Sequence, residues 1–174
     1  MNRCLLSVSL CLALLISTLS AWGMSRLFDG DAQVWQRGDT LCFGGKAFKS
    51  PGMVFNRLPD VDQRQVAVSY IEVYRDPYET LWAAGAEDPT VGAPLRSDTC
   101  FAYGQAIPGF KQTRPAQSLV PGLYHVTLNG RDSAGDGARA TFMRTFCLAP
   151  RGDRLAVVDA IYDKTLGRWR CDPA

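Results

Sequence analysis

Short apolar runs broken by Gly, Pro, Asn and Asp dominate the chain after residue 30, and helical spacing is weak almost everywhere. Gln33–Arg37 and Thr40–Gly44 read as two strands with only Gly38-Asp39 between them, the signal of a tight hairpin. On the second of these, Leu41 and Phe43 share one face and Cys42 points to the other. Val66 to Tyr74, "VAVSYIEVY", is the clearest strand, filled with β-branched and aromatic residues, although its alternation falters at Ser69. "TLWAAG" predicts a shorter strand. "GAEDPTVGAPLRSD" is polar and reads as a loop. Cys100 to Tyr103 is extended again.

In "SLVPGLYHVTLNG" the Pro121-Gly122 pair makes a turn and a strand follows, ended by Asn129-Gly130. Tyr124, Val126 and Leu128 face one way on it; Leu123, His125 and Thr127 face the other. A tyrosine two residues after such a turn predicts a tyrosine corner, with a buried ring and a hydroxyl bonded back to the turn. "RDSAGDG" reads as a loop, "RATFMRTFCL" as the returning strand and Leu155 to Tyr162 as the last strand. The count is about seven or eight short strands, which predicts an all-β fold, an immunoglobulin-like β-sandwich with antiparallel pairing. No internal repeat or interdomain linker interrupts it.

The N-terminus changes the setting. Arg3, the apolar stretch Cys4 to Leu19 and the small residues around Ala21-Trp22-Gly23 predict a secretory signal peptide over residues 1–23, cut before Met24. Residues 24–174 then form a single domain. No cysteine stands behind small residues at the cut, so no lipid anchor is expected, and the predicted compartment is the periplasm. The longest unbroken apolar run, Leu10 to Ile16, is much shorter than the ~20 residues of a membrane span. Losing Arg3 leaves 18 basic against 17 acidic residues, so no field exists to attract nucleic acid or anionic lipid.

Export makes the cysteines legible. Cys42, Cys100, Cys147 and Cys171 remain after cleavage, an even number in an oxidising compartment. No C-x-x-C pair suggests zinc. Two disulfides are expected. Three connectivities are open, and Cys42–Cys100 with Cys147–Cys171 is favoured because each pair lies within one half of the chain.

Candidate chemistry is sparse. Arg37-Gly38-Asp39 and Arg151-Gly152-Asp153 match an adhesion tripeptide, yet both precede a strand, where turn chemistry itself wants Gly and Asp. His125 is the single histidine, which excludes sites with two imidazoles, and no G-x-S-x-G elbow supports a serine nucleophile. Asp60 and Asp62 flank Val61, so on a strand both carboxylates would face one side, as glycoside hydrolysis needs. Asp132, Asp136 and Gly137 fall at positions one, five and six of a calcium-loop pattern, but Ala134 occupies the third and no Glu stands at the twelfth. Trp35, Trp82 and Trp169 suit a sugar platform or a core equally well. No cofactor and no enzyme activity are expected.

The succession "GDTLCF … VSYIEVY … DTCFAYGQAIPGF … LVPGLYHVTL … RTFCLA" resembles that of small exported β-proteins of enterobacteria, the type VI secretion immunity periplasmic lipoproteins. Cys42, Cys100, Gly122, Tyr124, Phe146 and Cys147 sit at matching places, over roughly residues 32–162. The chain departs from the family pattern in lacking the lipid-modified cysteine after the signal. The resemblance implies a protein that binds a toxic effector and blocks it, without catalysis, and it carries over no contact residue. A secreted carbohydrate- or surface-binding module is the alternative.

Overall fold

The computed structural model describes residues 27–48, 61–63, 65–88, 90–132 and 139–172, and these are almost wholly β. The strands are β1 (Leu27–Arg37), β2 (Thr40–Phe48), β3 (Val66–Arg75), β4 (Glu79–Ala86), β5 (Ala93–Pro94), β6 (Phe101–Ala102), β7 (Phe110–Arg114), β8 (Gly122–Asp132), β9 (Arg139–Arg151), β10 (Arg154–Asp159), β11 (Ile161–Asp163) and β12 (Arg168–Arg170). The expected signal peptide, Met24, Asp60, Asp136 and Gly137 lie outside the described residues.

Seven or eight strands was too low a count, for two physical reasons. β5 is two residues, too short to carry a pattern, and β7, "FKQTR", lies mostly open to solvent and has no apolar alternation; β6 falls within the extended run expected from Cys100 to Tyr103. The run Leu155 to Tyr162 also breaks at Ala160 into β10 and β11.

One sheet runs β6-β2-β1-β9-β8-β3-β4-β7, with β10 added along β9 and β5 against β3; β11 and β12 form a separate ribbon. The sheet curls over its own core. Phe43 on β2 lies 6.2 Å from Trp82 on β4, although four strands separate β2 from β4 in the ladder. The two ends of the sheet are also tied. Tyr103, just after β6, donates its N–H to Leu41 O at 2.9 Å and its hydroxyl to Gln117 O at 2.9 Å, while Gln117 N–H reaches Leu81 O on β4 at 3.0 Å.

Pairing is not purely antiparallel. Leu27–Asp31 of β1 runs parallel to Arg139–Met143 of β9. β1 pairs with β2 over Gly30–Arg37 and with β9 over Leu27–Asp31, so Gly30 and Asp31 are laddered on both sides. Past Met143, β9 parts from β1 and takes β10 as its antiparallel neighbour from Phe146 to Arg151. The sheet therefore forks at Arg144 and Thr145.

The core follows the alternation. On β8, Tyr124, Val126 and Leu128 are buried and their neighbours half-buried. β3 buries Val66 and Val68, then Ile71 and Val73. The three-residue step between Val68 and Ile71 is a β-bulge at Ser69, which returns the apolar set to the inner face. β8 does not stop at Asn129-Gly130 but continues to Asp132. Gly130 marks a close approach instead: a Cβ there would sit 2.4 Å from the backbone oxygen of Ala67.

Cys42 is bonded to Cys100 and Cys147 to Cys171. The first bond covers the face of β2 opposite Phe43, so Leu41, Cys42 and Phe43 are all buried. The second fastens the tail after β12 to β9. Gly122 opens β8 with a nearly extended backbone, φ 159°. Two residues on, the ring of Tyr124 is fully buried against Phe146, their centroids 5.7 Å apart. Its hydroxyl donates to Val120 O at 2.5 Å and accepts from Val120 N–H at 3.1 Å, closing the chain on itself ahead of the strand.

Candidate functional site

The two Arg-Gly-Asp stretches meet in space. Each is the tip of a hairpin with a two-residue connection, Gly38-Asp39 between Arg37 and Thr40, and Gly152-Asp153 between Arg151 and Arg154. Gly38 and Gly152 have φ of 62° and 66°, with no positive φ at the following Asp, which is the order a type II′ turn requires. The tripeptides are thus turn chemistry. β1 and β10 then bring the tips together: Arg154 pairs with Asp39 at 3.1 Å, and the Gln36 side-chain amide donates to Leu155 O. Between the tips opens a cleft of about 630 Å³. Leu41, Leu148, Leu119 and Leu155 supply its apolar lining, Tyr103 a wall, and Arg151 and Arg154 its mouth. Burial pushes the Tyr103 phenol up to about 12, against the lowering effect of its bond to Gln117, so it stays a neutral donor.

A second hollow, about 570 Å³, occupies the fork where β1 and β10 leave β9. Asp31, Arg144, Asp159 and Trp169 line it, with His125 and Tyr74 at one side. Arg144 is half-buried and donates to Asp159 at 2.5 Å. His125 stacks on Tyr74 with ring centroids 4.8 Å apart, and its Nδ1 lies 3.0 Å from the Thr145 hydroxyl. Burial holds its pKa below the ordinary value, partly opposed by Asp76, so the imidazole is neutral at pH 7. A neutral imidazole stacked on Tyr74 and bonded to the Thr145 hydroxyl is held as a packed side chain on the outer face.

The third feature is an apolar surface around the β11–β12 ribbon. Of the nine large hydrophobic residues exposed among the described ones, six cluster in this part of the chain: Met143, Val158, Ile161, Tyr162, Leu166 and Trp169. Tyr162 and Trp169 pack edge to face at 5.3 Å, with Trp169 still 42% exposed. The Cys147–Cys171 bond holds the end of this ribbon against β9.

Other residues singled out in the sequence stay apart from these places. Asp62 sits in a single 3-10 turn (Val61–Gln63), not on a strand, and accepts the Ser97 N–H at 2.8 Å; these bonds lower its pKa. It caps a loop. Asp132 is buried at the end of β8, and among the described residues no three His, Cys, Asp or Glu side chains gather as metal ligands. Trp82 is core; Trp35 lies half-buried over Gly44 on the outer face of the β1–β2 hairpin. Of the three tryptophans among the described residues, only Trp169 stands at a candidate site. Arg144 and Asp159 meet across the β9–β10 hairpin, 15 positions apart, and gave no signal because nothing marks two charged strand residues as a pair; Leu41 and Leu148 of the cleft meet across more than a hundred positions, which no local pattern records. Comparison with protein-family models, with curated proteins and with solved structures found no match to this chain.

Proposed function

We propose that this is an exported, non-enzymatic protein-binding module, acting in the periplasm, and that its partner is a protein, a toxic effector which it neutralises. The observation that carries the binding reading is the exposed Tyr162–Trp169 pair on the disulfide-fastened ribbon, flanked by Met143 and Arg144. Tyr, Trp, Met and Arg are the residues enriched where proteins dock, and the few that dominate binding energy are mostly Trp, Tyr and Arg. The effector identity rests on the resemblance of the strand order to immunity lipoproteins. The immunoglobulin-like sandwich belongs to the same proposal: the facing of β2 against β4 across the core supports it, and the unbroken ladder from β6 to β7 stands against it.

A pull-down from periplasmic extract, with and without candidate effectors, tests the reading. Wild-type protein should retain a partner that Trp169→Ala and Tyr162→Ala each release. Retention unchanged by both variants would remove the ribbon from the interface. Intact mass of the exported protein should correspond to a chain beginning at Met24 without acyl groups.

The alternative, a carbohydrate-binding module, draws on a different observation. The fork hollow sets Trp169 beside Arg144 and Asp159, an aromatic plane with charged hydrogen-bonding groups, which suits a sugar ring. A glycan array decides between the two readings.

A further inference from the structure

We propose that the cleft between the two Gly-Asp hairpins binds a small amphiphilic carboxylate, with an unbranched aliphatic chain on the leucine lining and its head group on Arg151. The site is separate from the ribbon, and the inference stands without the docking surface proposed above.

Four features select this ligand. The volume, about 630 Å³, falls in the ~300–1,000 Å³ range of small-molecule sites. The interior is aliphatic: Leu41 and Leu148 are buried, Leu119 and Leu155 half-buried, and all four line the space. The Tyr103 hydroxyl is already given to Gln117 O, so this wall offers the ligand a ring and no free donor.

The mouth carries a small positive excess. Asp39 and Arg154 offset each other at 3.1 Å, which, among the described residues, leaves Arg151 without an ion-pair partner at the cleft. A guanidinium pairs with a carboxylate through two parallel bonds. One uncompensated arginine matches one negative charge, not the two of a phosphate monoester.

A peptide strand is disfavoured because the backbone at the floor is used up. Leu41 pairs with Gln36 and accepts the Tyr103 N–H; Leu148 lies between Val157 and Gly122. What remains is chiefly apolar contact and one ionic anchor, with the polar side chains of Gln36, Gln117 and Ser118 also lining the space. The two hairpin tips that border the cleft have two-residue connections of fixed turn type, so little ordering of these tips accompanies entry.

Decanoate, used below its micelle concentration, is the probe. Titration into the isotopically labelled protein should saturate at a single site, moving the amide signals of Leu41, Tyr103, Leu119 and Leu155. Decanol, the uncharged counterpart, and acetate, the head group alone, should each bind at least about ten-fold more weakly. Arg151→Gln, an exposed change, should weaken decanoate about ten-fold without altering decanol binding. Ala156→Trp should fill the cleft and abolish both; Ser118→Trp, at an exposed position, serves the same purpose if the former fails to fold.

Three results would overturn the proposal. One is the absence of shifts at these amides. Another is equal affinity for decanoate and decanol together with indifference to Arg151→Gln. The third is shifts confined to the β11–β12 ribbon, which would mark ordinary detergent-like adsorption to exposed aromatic surface.

Discussion

Tyr124 separates two contributions that usually travel together, a buried ring and a corner hydrogen bond. The ring has no exposed surface, stacks on Phe146 and faces the same core as Val126 and Leu128. The hydroxyl makes two bonds to the backbone of Val120, as donor and as acceptor. Tyr124→Phe removes only the second contribution. Each hydrogen bond contributes about 0.5–1.5 kcal/mol net. Val120 is 43% exposed, so water can take over its freed N–H and carbonyl, and the cost stays near the low end. The expected loss is about 1 kcal/mol in all. Tyr124→Ala also removes the ring and leaves a cavity against Phe146, at about 3–5 kcal/mol. Urea unfolding of the oxidised protein measures both, and the slope should remain that of wild type, so that midpoints report stability alone. Wild-type stability in Tyr124→Ala would mean an exposed ring and a reversed strand face. A loss in Tyr124→Phe as large as in Tyr124→Ala would mean that the corner, and not the core contact, holds β8.

Three further outcomes follow from the same geometry. The Cys42–Cys100 bond spans 58 residues and Cys147–Cys171 spans 24, so by loop entropy they should contribute about 4.2 and 3.4 kcal/mol, and paired Cys→Ala variants should rank in that order; free thiols in denatured wild-type protein would contradict the pairing. Gly130→Ala forces a methyl against the Ala67 carbonyl on the adjacent strand, which cannot yield without disturbing the ladder, and thermal unfolding should show a loss of at least about 1–3 kcal/mol; an unchanged melting point would refute the close approach. Burial holds His125 below its ordinary pKa, so the stability it supplies is present above pH 6.5 and is lost as pH falls through the lowered folded value; a proton NMR titration midpoint at or above 6.5 would reverse that sign.

Local chemistry was legible along the chain because it needs only neighbours. The alternation Tyr124, Val126, Leu128 reads directly as an inner face, since side chains on a strand change sides at every residue. The falter at Ser69 is the bulge of β3, visible as a broken period before any partner strand is known. Gly38-Asp39 between two apolar runs is a hairpin for the same local reason: the turn needs a residue that accepts positive φ. The even number of cysteines left after the expected signal peptide calls for disulfides, whichever way they pair.

Only the tertiary structure decided which strands became neighbours. Parallel pairing of β1 with β9 joins residues more than a hundred positions apart, and neither segment carries a mark of its partner. That pairing creates the fork, and the fork places Arg144, Asp159 and Trp169 around one hollow. It also sets the β1–β2 tip beside the β9–β10 tip, so that two tripeptides explained one at a time as turns together frame a cleft. Side-chain period is a property of a few consecutive residues, whereas a site here is built from segments whose meeting depends on how a whole sheet curls to bury Phe43, Trp82 and Phe146 against one another.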